Sequence, residues 1–356
     1  MESTLTKLAY QTFQQSKSAL GLAHKNLSTR LREWVAPLDD PNIQSVPSEV
    51  MLKYRDRFNQ LMEKDWADAE SGIYPSSLLF DTPWTDILQF YPKVWLDLPG
   101  TWERSKNKAF QDFGDDINTD GYPQYYVRNF HYQTDGYLSE ESANLYDLQV
   151  EILFNGCADP MRRRVLAPLK QGLQRMRLGN GLENASQTRV LDVACGTGRM
   201  LRMIRGMLPE ASLFGVDLSP TYLRKANQDL SELPGALPQL LQGNAEELPY
   251  VDNYFHGLTC VFMFHELPGP VRQKVINECY RVTQPGGVLV ICDSVQKSDS
   301  EEMAPMMNNF ARVFHEPFYN NYIEDNISER LEKAGFEVVE IQIHLASKYW
   351  IAHKPI

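Results

Sequence analysis

Two carboxylates and a glycine turn form the part of this sequence best suited to chemistry. The stretch VLDVACGTGRM at residues 190–200 places Asp192 in an apolar run and follows it with Gly196 and Gly198. A second acid, Asp217, ends the next apolar run. Glycines let backbone approach a ligand closely, and a helix that follows them offers free N–H groups and a positive dipole end. The pattern predicts a site for a nucleoside-containing ligand with charged groups.

The order of these residues separates two cofactor classes. An acid at the end of the second strand can accept both ribose hydroxyls of NAD or of S-adenosylmethionine. Asp192 precedes the glycines, where an acid suits a cationic amine, and NAD has no such amine at that place. Leu201 occupies the position of the third glycine in the dinucleotide fingerprint. The sequence therefore favours S-adenosylmethionine, and an NAD-dependent oxidoreductase remains an alternative.

The elements after residue 188 must position these side chains. Short β-rich runs alternate there with helical patterns, which predicts βαβ units and a parallel sheet. Such a sheet binds ligands at the carboxyl ends of its strands. At the end of the chain, ISERLEKAGF predicts a helix closed by Gly335, and VVEIQIHL with SKYWIAHK predicts an antiparallel pair of strands.

Four motifs in this order and spacing resemble those of class I S-adenosylmethionine-dependent methyltransferases: DVACGTGRM, GVDLSPTYLRKA, QGNAEELPYVDNYFHGLTCVFMFHEL and PGGVLVICD. They are closest to the branch that includes the menaquinone and ubiquinone C-methyltransferases. The resemblance covers about residues 140–356. It implies an α/β fold, a Rossmann-like seven-stranded and mostly parallel sheet with an antiparallel last strand, preceded by a mainly helical N-terminal region.

The resemblance also implies roles for residues at the strand ends. Asp192 is expected to hold the methionine amine, and Gly196 and Gly198 are expected to pass beneath the methionine part. Asp217 is expected to bind the ribose hydroxyls, and Leu218 to pack on the adenine. The other expected cofactor contacts are Ala194, Asn244, Ala245, Glu246, Val261 and Phe262.

Three of these positions depart from the usual pattern or have alternative roles. Ala194 stands where many relatives have glycine, and Asn244 stands where aspartate is commoner. The Glu246 carboxylate is expected to contact the adenine amino group, although EELP is also typical of a solvated helix start. His256 lies where aspartate is often found, and we interpret this as structural variation far from the sulfonium.

His265 in MFHEL is the candidate catalytic base, because it lies just past the fourth strand beside the expected acceptor site. Glu266 is a second candidate, and His131 and Tyr132 are candidates to reach the site from the N-terminal region. Helix capping or packing is the alternative role for each. Methyl transfer needs a base only when the acceptor loses a proton in the transfer step. No metal-ligand spacing is present, so we expect no metal.

The chain divides by texture into residues 1–138, a helical and aromatic-rich region, and residues 139–356, the expected methyltransferase domain. That domain has a core at 188–294 and a lid-like insertion at 295–326. Apolar residues of the insertion are expected to line the acceptor site, with packing on the sheet as the alternative. They are Met303, Met306, Met307, Phe310, Phe314, Phe318 and Tyr319. This composition favours an apolar or aromatic acceptor, such as a prenylated quinone or a pigment precursor.

Four local patterns outside the core carry structural predictions. Leu5, Leu8, Phe13, Leu20, Leu27, Leu31 and Trp34 recur at helical spacing, which predicts a docked amphipathic helix. The alternation in YYVRNFHYQ predicts a strand or hairpin. GNGLENASQ, residues 179–187, predicts a flexible connector, and the run Arg162–Arg164 predicts a solvated helix face or a neighbour to acidic groups.

Composition limits the remaining function classes. The 356 residues carry a net charge of −11, which argues against a nucleic-acid surface. Five cysteines without a CxxC pair indicate reduced thiols and a cytoplasmic location. Plastid import is an alternative, because the first ~30 residues are acid-poor. The sequence contains no apolar run of about 18 residues, so we expect no membrane span. Peripheral membrane contact is an alternative. A cofactor-binding scaffold without transfer activity is a further alternative, and nothing indicates the oligomeric state.

Overall fold

A seven-stranded β-sheet positions the predicted site. The computed structural model describes residues 2–37, 42–179 and 185–356. The strands are β1 (Arg189–Val193), β2 (Ser212–Asp217), β3 (Gln239–Gln242), β4 (Phe255–Val261), β5 (Thr283–Ser294), β6 (Glu337–His344) and β7 (Ser347–His353). They lie in the order β3-β2-β1-β4-β5-β7-β6. Strands β1 to β5 are parallel, and β7 runs antiparallel to β5 and β6. This confirms the predicted sheet and its antiparallel end.

Helices cover both faces of the sheet and build the N-terminal region. They are α1 (Glu2–Val35), α2 (Ser48–Glu70), α3 (Trp84–Asn107), α4 (Glu140–Leu153), α5 (Ala158–Arg163), α6 (Leu166–Gly179), α7 (Arg199–Met207), α8 (Pro220–Ser231), α9 (Gly269–Val282), α10 (Ala304–Val313), α11 (Tyr319–Tyr322) and α12 (Ile327–Ala334). Val190 packs into the core on one face of the sheet and Leu191 into the core on the other. Covered faces explain why the central strands are apolar almost throughout.

The helix boundaries follow local sequence signals. The Ser139 side chain accepts the backbone N–H of Ser142 and caps α4. Gly335 ends α12 with a left-handed φ of 106°, as predicted. All five cysteines are free and buried, as expected for reduced thiols that fill the core. None of the described helices combines the length and the apolar composition that a membrane crossing requires.

Buried ion pairs join the N-terminal helices to the rest of the chain. Arg163 is 1% exposed and donates from Nη2 to Asp65 Oδ2 of α2 at 2.6 Å. Arg164, also 1% exposed, pairs with Asp68 of the same helix. Arg162 pairs with Asp159 inside α5. The prediction of a solvated face for Arg162–Arg164 was wrong. The acidic neighbours belong to this chain, and their charges offset the cost of removing the arginines from water.

Helix α1 forms as predicted but buries a different face. Leu5, Leu8 and Trp34 are 67%, 59% and 84% exposed, whereas Tyr10 and Gln14 are buried. The Tyr10 hydroxyl donates to the buried Asp65 carboxylate. A polar partner in α2 therefore fixes the orientation of α1, and the leucine pattern does not.

The predicted strand at YYVRNFHYQ was also wrong. The segment consists of turns and one short 3-10 turn, Phe130–Tyr132. His131 and Tyr132 have positive φ values of 53° and 57°, and an extended strand cannot contain them. In the predicted connector, residues 180–184 lie outside the described residues.

Candidate functional site

Four neighbouring strand ends form the floor of the candidate site. Asp217 ends β2, Val261 ends β4, and Asn244 follows β3. Because β3, β2, β1 and β4 are neighbours in the sheet, their carboxyl ends meet at one edge. The sequence placed its predicted cofactor residues at this edge, and the structure brings most of them together there.

Asp217 lies at the rim of the floor with its carboxylate already oriented. Its Oδ2 accepts the backbone N–H of Gly196 at 2.8 Å, and its Oδ1 accepts the backbone N–H of Ser219 at 2.8 Å. Burial raises the pKa of Asp217, although these N–H groups favour the charged form. Each carboxylate oxygen retains acceptor capacity, so two hydroxyls of a ribose can bind here.

The turn after β1 exposes backbone to the cavity. Ala194, Gly196 and Gly198 have positive φ values of 57°, 54° and 77°. A Cβ added to Gly196 would meet only Tyr222, at 3.9 Å. A Cβ added to Gly198 would lie 2.9 Å from Leu230 Cδ1. Gly196 therefore leaves room for a ligand, whereas Gly198 lets α8 pack closely against the turn.

Asp192 lies beneath the floor. It is 2% exposed, and its Oδ1 accepts a hydrogen bond from Thr259 Oγ1 at 2.6 Å. Burial raises the pKa of Asp192 to about 7, and the Thr259 hydroxyl offsets only part of that effect. A cationic amine close to this carboxylate would stabilise its charged form.

A first cavity of about 110 Å³ lies above these strand ends. Its lining includes most of the predicted cofactor residues: Ala194, Gly196, Asp217, Leu218, Asn244, Ala245, Val261 and Phe262. Asp192, Gly198 and Glu246 are not part of the lining. Glu246 instead accepts hydrogen bonds from the Tyr125 hydroxyl at 2.7 Å and from Lys274 Nζ at 3.0 Å. Its predicted contact with adenine stays a prediction.

Aromatic side chains from distant segments form the roof of the first cavity. Tyr126, Phe130 and Tyr137 come from the N-terminal region, Tyr146 comes from α4, and Tyr222 from α8. The Tyr137 and Tyr222 ring centroids lie 5.6 Å apart at nearly right angles. Electron-rich aromatic faces suit a cation such as a sulfonium. None of these residues was predicted for the cofactor site, although the density of aromatics at 121–137 was a signal.

A second cavity of about 470 Å³ adjoins the first. The insertion contributes apolar side chains to its wall: Met303, Met306, Met307, Phe310, Phe314 and Tyr319. Phe318 is absent from this wall, and its ring packs under the Arg128 guanidinium, 5.8 Å from the ring centroid. The two cavities share Tyr137, Tyr146, Phe262 and Glu266. These four residues mark the place where two bound molecules would meet.

A comparison with protein families identifies the strand-end segment. Residues 190–287 match the family model described as "Methyltransferase domain". This range contains the glycine turn, both acids and the ends of β1 to β4. The chain contains a class I S-adenosylmethionine-dependent methyltransferase domain. S-adenosylmethionine is the cofactor of this class.

Two proteins similar to this chain are named demethylmenaquinone methyltransferase. The chain is 34% identical over 128 residues to the demethylmenaquinone methyltransferase of Listeria monocytogenes serotype 4a, a match that spans 36% of this chain and 51% of that protein. It is 28% identical over 181 residues to that of Geobacillus stearothermophilus, spanning 51% and 70%. The chain thus spans about half the length of the first relatives it matches. A SAM-dependent methyltransferase structure from Aquifex aeolicus matches with 21% identity, a TM-score of 0.37, and coverage of 51% and 88%.

His265 lines the second cavity of the methyltransferase domain, as predicted. Its Nδ1 lies 2.7 Å from Asp293 Oδ1, and Asp293 also accepts the backbone N–H of Phe264 at 2.7 Å. Burial lowers the pKa of His265, but the Asp293 carboxylate outweighs burial and raises that pKa to about 10. The pair favours a protonated imidazole that donates hydrogen bonds; the role of His265 as a base stays a prediction.

The two candidate site residues of the N-terminal region, His131 and Tyr132, differ in position. His131 lines the second cavity, whereas Tyr132 does not. The Tyr132 ring contacts His315, and its backbone carbonyl accepts Arg104 Nε at 2.8 Å. His256 lies at the opposite end of β4, where its Nδ1 accepts the backbone N–H of Arg189 at 2.9 Å. That position agrees with the structural role expected for His256.

Proposed function

We propose that the protein transfers a methyl group from S-adenosylmethionine to a small apolar or aromatic acceptor of the quinone or pigment-precursor type. The observation that carries the proposal is the junction of the two cavities. One cavity has the strand-end floor of a methyltransferase domain, the other has an apolar wall, and they share four residues. The relatives named demethylmenaquinone methyltransferase favour the same acceptor class.

The residues of the first cavity fit this cofactor group by group. The Asp217 carboxylate accepts the ribose hydroxyls, and Leu218, Asn244 and Ala245 line the place of the adenine. The open backbone at Gly196 accommodates the methionine part. S-adenosylmethionine carries the methyl group on a positively charged sulfur. When the methyl group is transferred, the sulfur leaves as a neutral sulfide. The chain contributes by aligning the two partners and excluding water, which is worth several kcal/mol.

The second cavity selects the acceptor by its apolar wall. Methionine side chains adapt to irregular shapes, and aromatic rings stack on planar molecules. Phe310 and Phe314 lie 5.1 Å apart between ring centroids and face the same cavity. The acceptor must also place its reacting atom beside Tyr137 and Glu266, where the cavities meet.

Binding measurements test the cofactor part of the proposal. Calorimetric titration with S-adenosylmethionine, S-adenosylhomocysteine and NAD is expected to give binding of the first two and none of NAD. Asp217→Asn is expected to weaken cofactor binding at least tenfold, because the ribose loses its charged acceptor. Asp252→Asn is the matched control, since Asp252 is exposed in the loop that precedes β4. Binding of NAD, or equal affinity in the two variants, would contradict the proposal.

An extract experiment tests transfer and separates an enzyme from a cofactor-binding scaffold. Cell extract is incubated with the protein and methyl-labelled S-adenosylmethionine, and labelled metabolites are identified by mass spectrometry. We expect label in an apolar or aromatic molecule with wild-type protein and not with Asp217→Asn. Cofactor binding without any labelled product would favour the scaffold.

Variants of the insertion test the acceptor wall once the labelled molecule is known. Phe310→Ala and Phe314→Ala are expected to raise the acceptor KM about tenfold and leave cofactor affinity unchanged. Phe318→Ala is the matched control, because its ring belongs to the same insertion and lies outside the cavity wall. Equal loss of both affinities would exclude a role for these rings in acceptor binding.

A further inference from the structure

Three side chains from separate parts of the chain converge beside the junction of the cavities. His131 comes from the N-terminal region, Glu266 follows β4, and Glu316 comes from the insertion. One potential ligand atom from each lies within 4.8 Å of the other two. His131 and Glu266 line the second cavity, so the cluster faces the acceptor space.

Glu316 is the unusual member of this cluster. Its side chain is fully buried, yet neither of its carboxylate oxygens has a hydrogen-bond partner among the described residues. His131 Nε2 also lacks one, although it lies 2.7 Å from Glu316 Oε1. Buried carboxylates are normally paired with cations or hydrogen-bond donors, because an unpaired buried charge is costly. This side chain therefore points to a ligand that the protein atoms do not supply.

The other carboxyl group of the cluster, Glu266, has one direct hydrogen-bond donor. Glu266 Oε1 accepts a hydrogen bond from the Tyr137 hydroxyl, which orients the group and leaves Oε2 available. Within the described part of the chain, neither Glu266 nor Glu316 forms an ion pair with lysine or arginine. Two carboxyl groups and one imidazole therefore share a small volume, and the nearby groups that can partly neutralise them are the imidazoles of His131 and His265.

We propose that His131, Glu266 and Glu316 bind a divalent first-row transition-metal ion such as Mn²⁺, Co²⁺ or Zn²⁺. A divalent ion neutralises both carboxylates, and one imidazole nitrogen with carboxylate oxygens is a ligand set that suits these metals. Neighbouring ligands of such an ion, each about 2.1 Å from the metal, lie about 3 Å apart, close to the separation of His131 Nε2 and Glu316 Oε1. This site corresponds to no metal-ligand spacing in the sequence, because the three residues are far apart along the chain.

The position of the ion gives it a role toward the acceptor. Three protein ligands leave coordination positions open to the second cavity. A phenolic or carbonyl oxygen of the acceptor can fill one of them, and the ion then orients the acceptor ring toward the junction. The site itself does not depend on the proposed function, whereas this role does.

Metal titration of the full-length protein tests the site directly. Chelator-treated protein is titrated with Mn²⁺ alone, and the signal of the free ion is followed by electron paramagnetic resonance; Co²⁺ and Zn²⁺ are titrated by calorimetry. We expect one ion per chain for the wild type. Glu316→Gln and His131→Gln are expected to weaken binding at least tenfold. Glu301→Gln, an exposed carboxylate on the same insertion, is the matched control and is expected to bind like the wild type.

Thermal unfolding followed by circular dichroism keeps the test valid for each variant. Metal is expected to raise the Tm of the wild type and of Glu301→Gln, and to leave that of Glu316→Gln unchanged. Glu316→Gln replaces a buried carboxyl group whose oxygens accept no hydrogen bond among the described residues, so the metal-free variant should be at least as stable as the wild type. No saturable binding of any of the three ions, or equal affinity in Glu316→Gln and the wild type, would overturn the site. S-adenosylmethionine affinity, measured separately, reports on the proposed function and not on the metal.

Discussion

The floor and the roof of the first cavity are built in opposite ways. The floor consists of strand ends and a glycine turn, where backbone N–H groups hold Asp217 in place. The roof consists of tyrosine and phenylalanine side chains from remote segments. A backbone floor needs only a local sequence motif. A side-chain roof depends on long-range contacts that hold the N-terminal region against the sheet.

Buried ion pairs supply much of that long-range contact. Asp65 of α2 accepts Arg163 through two nitrogens and also accepts the Tyr74 hydroxyl at 2.6 Å. On the other side of α5, Asp159 accepts Arg199 Nη2 at 2.6 Å, at the start of α7. Helix α5 thus links the N-terminal helix α2 to α7, the helix that follows the glycine turn. Floor and roof should accordingly respond differently to substitution.

The largest expected effect is on the attachment of the N-terminal helix α2 to α5. Arg163→Met leaves Asp65 buried without its cation, and we expect a loss of about 3–5 kcal/mol in the free energy of unfolding. Urea denaturation measures it. Glu63→Ala, which removes an exposed pair between α2 and Lys7 of α1, should cost less than about 1 kcal/mol. Equal costs for the two variants would mean that the buried pair does not fasten α2 to α5 more strongly than an exposed pair does.

The next effect separates the two glycines of the floor. Gly198→Ala combines left-handed backbone strain with a contact at 2.9 Å to Leu230, so we expect a loss of about 2–4 kcal/mol in stability. Gly196→Ala meets no close neighbour and should cost about 1 kcal/mol. Its methyl group enters the cavity, however, and should weaken S-adenosylmethionine binding at least tenfold. Denaturation and calorimetry on both variants measure the difference, and the reverse ranking would exclude this division of roles.

A third prediction concerns pH and Asp192. Its pKa in the free protein is raised to about 7, so the folded state holds a proton that the unfolded chain has lost. The stability this proton provides is lost as pH rises from about 4 through 7. A bound amine requires the charged carboxylate. Cofactor affinity should therefore rise by up to about tenfold per pH unit below pH 7 and level off above it.

Calorimetry from pH 5.5 to 7 in buffers of different ionisation enthalpy measures this rise and the accompanying proton release. Asp192→Asn should bind more weakly with a flat profile, and the free variant should be more stable than the wild type at pH 8. A steep profile that persists in Asp192→Asn would assign the pH dependence to another group.

The smallest expected effect concerns Glu246. Its carboxylate is engaged by Tyr125 and Lys274 and lies outside the cavity lining. Glu246→Gln should therefore change S-adenosylmethionine affinity less than about threefold. A loss of tenfold or more would restore the adenine contact implied by the family resemblance. Tyr125→Phe, which removes one of the hydrogen-bond donors to this carboxylate and leaves Lys274 in place, is the companion variant.

The sequence predicted the floor well because its determinants are local. An apolar strand, an acid at its end and a glycine turn occur within VLDVACGTG, and parallel strands bring equivalent ends to one edge. The resemblance to a known family added the identities of the ligand groups. Leu218 and Phe262 were among the residues that the resemblance supplied, each at a position just after a strand.

The roof and the cluster at the junction were not predicted, because distant residues form them. Glu316 and Asp293 carry no sequence pattern that distinguishes them from other acids, and His131 lies in a segment predicted as extended. Positive φ values at His131 and Tyr132 replaced that strand with a turn. In α1, the regular spacing of leucines predicted the wrong buried face, since Asp65 selected Tyr10 instead. Side-chain chemistry across long sequence separations decided each of these cases.

A crystal structure with bound S-adenosylhomocysteine tests the central claim most directly. The account predicts the ribose on Asp217, the methionine part over Gly196, and the sulfur beside Tyr137, Tyr146, Phe262 and Glu266. In that position the sulfur faces the second cavity. A ligand bound elsewhere, or a sulfur turned away from the second cavity, would contradict the account.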